Sequence, residues 1–160
     1  MLDSKTALSQ EAVDLWVKSY QGEVLGEAYF SRVSEKADDP GEKSKLQALA
    51  TLERCTKELL APSMERLGIP TDPDPASLEV AAALAADYDY PAMIGSLPAV
   101  TGEYLGYYTS LRALVDEQDA GAVNLLIAHE MALELFARRE IAGEKDTSLD
   151  AIRALPHVSL

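Results

Sequence analysis

Four glutamates in this chain sit where carboxylate chemistry could be done. Glu23 and Glu103 each occupy the frame Gly-Glu-x-Leu-Gly, written once as Gly22-Glu23-Val24-Leu25-Gly26 and again as Gly102-Glu103-Tyr104-Leu105-Gly106. Glu53 lies in Leu52-Glu53-Arg54-Cys55-Thr56-Lys57-Glu58, and Glu134 in the weakly similar Leu133-Glu134-Leu135-Phe136-Ala137-Arg138-Arg139. Glu23 and Glu53 are 30 residues apart, and Glu103 and Glu134 are 31 apart, by their positions in the sequence. If each half is a hairpin folded near 39 and near 118, all four carboxylates reach one layer of a four-helix bundle. Four ionised carboxylates cannot share an apolar core unpaired; each would cost several kcal/mol or take up a proton. Two divalent metal ions carry the four positive charges that would neutralise them.

The elements that must position these residues are helical. Alanine, leucine and glutamate dominate, and strand-like alternation is absent. The expected fold is all-α, a bundle of two duplicated hairpins within one domain spanning 1–160. A first helix over 9–35, with Ser9 as N-cap, carries the stripe Val13, Trp16, Tyr20, Glu23, Glu27, Phe30 at three-and-four spacing. A second helix over 42–68 carries Leu46, Leu49, Glu53, Thr56, Leu60, Met64 and Leu67, with Pro62 expected to bend it. The connection 69–90 holds prolines at 70, 73 and 75 and a short helical piece around 76–86. A connection this long is uncommon unless the third helix starts at the far end of the bundle. The third helix, over 91–116, is expected to face inward with Val100, Glu103, Tyr107 and Leu114. The fourth, over 121–142, is expected to do so with Val123, Ile127, Glu130, Glu134, Ala137 and Ile141. The tail 143–160 holds one short amphipathic piece.

With these elements in place, the chain resembles the ferritin-like di-iron carboxylate superfamily, which includes rubrerythrins and bacterioferritins. The stretch GEVLGEAYF, with Glu23 and an aromatic at Phe30, resembles the rubrerythrin first-helix motif. The resemblance spans the whole chain and implies a ferritin-like bundle with a long crossover between its second and third helices. It implies that Glu23 and Glu103 are metal ligands and that Glu53 and Glu134 bridge two ions of iron or manganese. It implies an oxidoreductase or oxygenase acting on a small molecule with dioxygen or a peroxide, supplied by an external electron donor. Iron storage is a variant. In that family the second and fourth helices carry Glu-x-x-His. Here Thr56 and Ala137 stand in the histidine positions. An oxygen-rich site favours hard ions such as manganese, magnesium or calcium.

The sequence supplies competing readings. Glu27 and Glu130 lie on inward stripes and are candidate additional ligands, or else boundary residues. His129 is five residues before Glu134, about 140° round the helix from it, and reads as a solvated helix histidine, with a metal ligand or a proton shuttle as the alternatives. Tyr107 belongs to a set of tyrosines near the layer, together with Tyr20, Tyr104 and Tyr108. Lys57, Arg54 and Arg138 could pair the glutamates and make metal unnecessary, leaving a metal-free binding or interaction protein. A further alternative is a cofactor-independent enzyme using glutamates of raised pKa.

The net charge of −13 disfavours nucleic acid and anionic membrane partners, since both need a basic face. A single cysteine leaves no disulfide framework. The polar N-terminus and the lack of a long apolar run lead to an expectation of a soluble cytoplasmic protein. Apolar residues on more than one face of the first two helices are consistent with a homodimer.

Overall fold

The structure, a computed structural model, describes residues 8–160. The expectation about the first residues as a polar segment without a leader falls partly on 1–7, outside the described residues. Six helices follow one another: α1 (Gln10–Lys36), α2 (Pro40–Leu67), α3 (Pro75–Ala86), α4 (Tyr90–Leu114), α5 (Glu117–Ala142) and α6 (Asp150–Arg153). No strand occurs among the described residues.

Local chemistry sets these boundaries. Ser9 caps α1, its hydroxyl accepting from the Ala12 N–H at 3.2 Å. The next four long elements all start behind an aspartate cap: Asp39, Asp74, Asp89 and Asp116 each accept a backbone N–H of the first turn. Three of those helices then place proline in the first turn, where its missing N–H is harmless. These starts, Asp39-Pro40 and Asp89-Tyr90-Pro91, put α2 and α4 slightly ahead of the expected positions, and Asp116 starts α5 four residues earlier than expected. Gly68 and Gly143 end α2 and α5 at φ of 74° and 81°, which only glycine adopts without strain. Pro62 and Pro98 lie inside α2 and α4, which continue through them.

The four long helices pack as two antiparallel hairpins, α1–α2 and α4–α5, with α1 against α4 and α2 against α5. Cross-links fix the sense of each pairing. Arg66 near the end of α2 pairs with Asp119 at the start of α5, and Lys45 near the start of α2 pairs with Glu140 at the end of α5. Helix α3 returns the chain along α1 to the far end of the bundle, where α4 begins. At about 1.5 Å per helical residue and 3.3 Å per extended one, the connection 68–89 has ample length for that return.

The core is divided into two apolar clusters. One contains Phe30, Val33, Leu46, Leu49, Leu52, Phe136 and the tail residues Leu149, Ile152 and Leu155. The other contains Trp16, Tyr20, Leu60, Met64, Leu111, Val123 and Leu126. Between them, on every long helix of the bundle, lies a layer of buried polar side chains. The inward faces of α4 and α5 differ in part from expectation: Val123, Glu130 and Ala137 are buried as expected, whereas Val100, Glu103, Leu114 and Ile141 are exposed. Helix α4 buries Met93, Ile94, Leu97, Thr101, Tyr108 and Leu111, and α5 buries Val123, Leu126, His129, Glu130, Leu133, Phe136 and Ala137. Among the described residues, only α5 has the length and hydropathy of a membrane span, and half of its most apolar window is buried in the bundle. The sequence expectation of no apolar run approaching span length is corrected to that extent.

Candidate metal and acid–base site

The buried layer is built by Glu23 from α1, Glu53 and Thr56 from α2, Tyr108 from α4, and His129 and Glu130 from α5. Ligand atoms of Glu23, Glu53 and His129 all lie within 4.8 Å of one another. His129 Nε2 is 3.6 Å from Glu53 Oε1 and 3.8 Å from Glu130 Oε2. His129 Nδ1 faces Thr56 Oγ1 at 2.7 Å, and the same hydroxyl meets His157 Nε2 at 2.8 Å. Tyr108 donates to Glu23 Oε1 at 3.2 Å, while Glu23 Oε2 is buried with no hydrogen-bond partner among the described residues.

Helix α1 makes room for this layer with glycine. A Cβ at Gly26 would stand 2.5 Å from Glu53 Oε2, and one at Gly22 would stand 2.7 Å from the Tyr104 ring. A residue with a side chain at either position would collide with the layer or its roof.

The electrostatics follow from burial. Burial above all, then the neighbouring carboxylates of Glu53 and Glu130, push Glu23 well above the ordinary carboxylate range, against the Tyr108 hydrogen bond. Burial raises Glu130 to about 8, although His129 pulls the other way. Burial alone would lower His129, but Glu53 and Glu130 outweigh it and hold the imidazole above its ordinary value. Burial, with His129 as a lesser contribution, lowers His157. A protonated His129 donates from Nδ1 to Thr56, so the threonine hydroxyl donates onward to His157. The other imidazole edge then faces Glu53 and Glu130.

Several sequence expectations need correction. Glu103 is exposed and accepts from Tyr107 at 2.7 Å, so neither residue enters the layer. Tyr107 instead lies under Lys18, whose Nζ is 3.6 Å from the ring centroid. Glu134 is half-buried and bonded to Arg138, with Nε at 2.8 Å. Glu27 pairs with Lys57 at the bundle surface. Glu23 and Glu53 are brought together as expected, but Glu103 and Glu134 are not. Tyr108 and Glu130 occupy the layer instead.

The two Gly-Glu-x-Leu-Gly frames are therefore not structural equivalents. A Cβ added at Gly102 or Gly106 would meet nothing within 4 Å, unlike one at Gly22 or Gly26. His129, expected at the surface, is 1% exposed. The expected ion-pairing occurs at Glu134, which Arg138 holds, but not at Glu23 or Glu53: Lys57 is held by Glu27, and Arg54 is exposed. His157 had no assigned role in the sequence. The missed signal was the stripe Val123, Leu126, Glu130, Leu133, Ala137, which shares Val123, Glu130 and Ala137 with the expected one, has the same three-and-four spacing, and places Leu133 where the expected stripe has the charged Glu134.

The donor set suits a hard or borderline divalent ion: carboxylate oxygens, one imidazole, and an oxygen without a donor. Without an ion, burial favours the protonated form of Glu23 and Glu130. Comparison with known protein families, with curated proteins and with solved structures finds no match.

Proposed function

We propose that this chain is a ferritin-like bundle protein that binds a divalent ion, iron or manganese, at Glu23, Glu53 and His129. In this reading it serves as an oxidoreductase acting with dioxygen or a peroxide on a small molecule, with electrons from an external donor. One observation carries the metal: three ligand atoms converge within 4.8 Å in a layer where neither lysine nor arginine pairs a carboxylate, among the described residues. The helix order, the antiparallel pairing and the long crossover support the ferritin-like part. One ion fits better than the two expected from sequence, since two would set four positive charges against three carboxylates.

A bound ion would supply Lewis-acid and redox chemistry. The chain's own residues do the rest. Thr56 orients His129 through Nδ1 and leaves Nε2 toward the carboxylates, an outer partner of the kind that fixes a ligand imidazole. Tyr108 holds one oxygen of Glu23. Glu130, with its proton retained at neutral pH, is placed to give or take one beside His129.

The test is elemental analysis of protein loaded anaerobically with Fe(II) or Mn(II) and then desalted. The wild type should keep about one ion per chain. Glu53→Ala and His129→Ala should lose it, whereas Glu103→Ala and Glu134→Ala should keep it. No retained ion in the wild type would sink the metal reading.

A second reading is favoured by Thr56, which spends its hydroxyl on two histidines where the resembled family places a ligand. Here the bundle is metal-free, its carboxyls are protonated, and it binds an organic molecule.

A further inference from the structure

The polar layer opens on one side into a cavity of about 380 Å³ between α1 and α4, bordered by Leu84 of α3. That volume lies in the range of small-molecule sites, roughly 300–1,000 Å³. Its walls are apolar and aromatic, with Leu25, Phe30, Leu97, Tyr104 and Leu133 among them, and its floor is Glu23, Glu53 and Glu130. Among the described residues, no lysine, arginine or histidine lines it. Leu84 and Val100 stand at its mouth, 54% and 43% exposed. Glu23, only 1% exposed, lines the cavity, and its Oε2 accepts no hydrogen bond among the described residues, with His129 Nδ1 3.5 Å away.

We propose that this cavity binds a lipophilic amine, with an apolar body along the α1–α4 walls and a protonated nitrogen donating to Glu23 Oε2 beside Glu53 and Glu130. The three head groups a lipophilic molecule could bring are separated by charge. An ammonium has three donors and no acceptor; seated on this floor it favours the ionised form of Glu23, which burial disfavours in the empty layer, so that Oε2 meets it as a carboxylate acceptor and a proton is released on binding. Its hydrogen bonds to carboxylate are charge-assisted and about twice as strong as neutral ones. An alcohol offers one neutral donor. A carboxylate head would add a further negative charge to a floor whose nearest basic group, His129, does not line the cavity and already faces Glu23, Glu53 and Glu130. The inference uses the same glutamates as the metal reading but does not need the ion, and the two are tested separately.

The experiment is calorimetric titration of the full chain, dialysed against chelator at pH 7, with dodecylamine, dodecanol and dodecanoate below their self-association concentrations. The tail is constant and only the head changes. Dodecylamine should bind about tenfold tighter than dodecanol, and dodecanoate should bind more weakly than either. Glu23→Gln should bring dodecylamine down to the affinity of dodecanol and leave dodecanol unchanged. Val100→Trp, at the exposed mouth, should weaken the amine and the alcohol together. If that variant does not fold by circular dichroism, Leu84→Trp fills the mouth from α3.

Dodecanol or dodecanoate matching the amine would overturn the head-group assignment. Absence of saturable binding by all three, or unchanged affinities in the plugged variant, would overturn the site. Because chelated protein is used, a failure to retain metal leaves this result standing, and a failure here leaves the metal analysis standing.

Discussion

Glu130 is acidic, but its surroundings favour the neutral form, and that has a definite sign in the stability of the protein. Its carboxyl is raised from an ordinary value near 4.5 to about 8 by burial. The native state therefore binds more protons than the unfolded chain between those values, and metal-free protein should lose stability as pH rises through that window. Glu23, raised for the same first reason, adds to the slope in the same direction. His129, held above its ordinary value, also stabilises at low pH and loses that contribution as pH rises through its folded value. His157 has the opposite sign, since its lowered value makes acid unfavourable to the fold. Glu130→Gln should flatten the decline of melting temperature between pH 5 and 8, measured by thermal denaturation in chelator; an unchanged slope would show that Glu130 is not the titrating group. Tyr108→Phe removes the hydrogen bond that Glu23 accepts. It should destabilise the chelated protein by about 1–3 kcal/mol, the range for leaving a buried polar group unsatisfied, measured by urea unfolding.

The helices carry two copies of one frame, and only the first is close-packed. In α1 a methyl at Gly26 would overlap Glu53, which the layer holds in place. Gly26→Ala should lower metal retention and amine binding, despite the usual gain of roughly 0.5–1 kcal/mol when alanine replaces glycine inside a helix. In α4 the same change at Gly102 or Gly106 meets open space. There the propensity gain should appear undiminished, as a rise in denaturation midpoint with unchanged metal content. Equal behaviour of the Gly26 and Gly106 variants would mean that the close approach on α1 does not constrain Glu53. At the other end of the bundle, Glu140 ties α2, α4 and α5 together. Burial alone would raise its carboxyl, but hydrogen bonds from Lys45 and Tyr90 help to leave it below its ordinary value. A lowered acid stabilises at neutral pH and loses that contribution as pH falls through its folded value, so Glu140→Gln should reduce acid sensitivity below about pH 4.5.

At the scale of the whole molecule, the bundle places between two apolar clusters a layer of three carboxyls faced by one imidazole, His129, and a further cation or a set of protons must balance it. An ion bound only to the native state stabilises by about 2.7 kcal/mol at a hundred times its dissociation constant. Mn(II) should therefore raise the melting temperature of wild type and do so more strongly as pH rises, because protons and the ion compete for the same oxygens. His129→Ala should abolish that increase. An equal rise in wild type and variant would place the ion on the acidic surface instead. The tail belongs to this scale too: α6 and its neighbours close one apolar cluster and bring His157 to Thr56, linking the chain's last residues to its centre.

The sequence by itself determined the helical class, the hairpin turns, the crossover helix and the presence of Glu23 and Glu53 in one layer. These are local matters. Asp-Pro starts, glycine ends and a strong apolar stripe with large residues on α1 and α2 leave one way to pack. The tertiary structure alone decided how α4 and α5 are rotated. Both are apolar on more than one side, with Val100, Leu114, Met131, Leu135 and Ile141 left exposed, so two stripes at the same spacing compete within each sequence. Packing against α1 and α2 selected the stripe with Leu97, Tyr108, Leu126, Leu133 and Phe136, which buries the bulkier side chains. That rotation carried Glu103 and Glu134 outward to Tyr107 and Arg138, brought His129 and Tyr108 in, and kept Glu130 inward as its stripe position implied. The site's membership therefore followed from the burial of its apolar neighbours, not from the repeated glutamate frame.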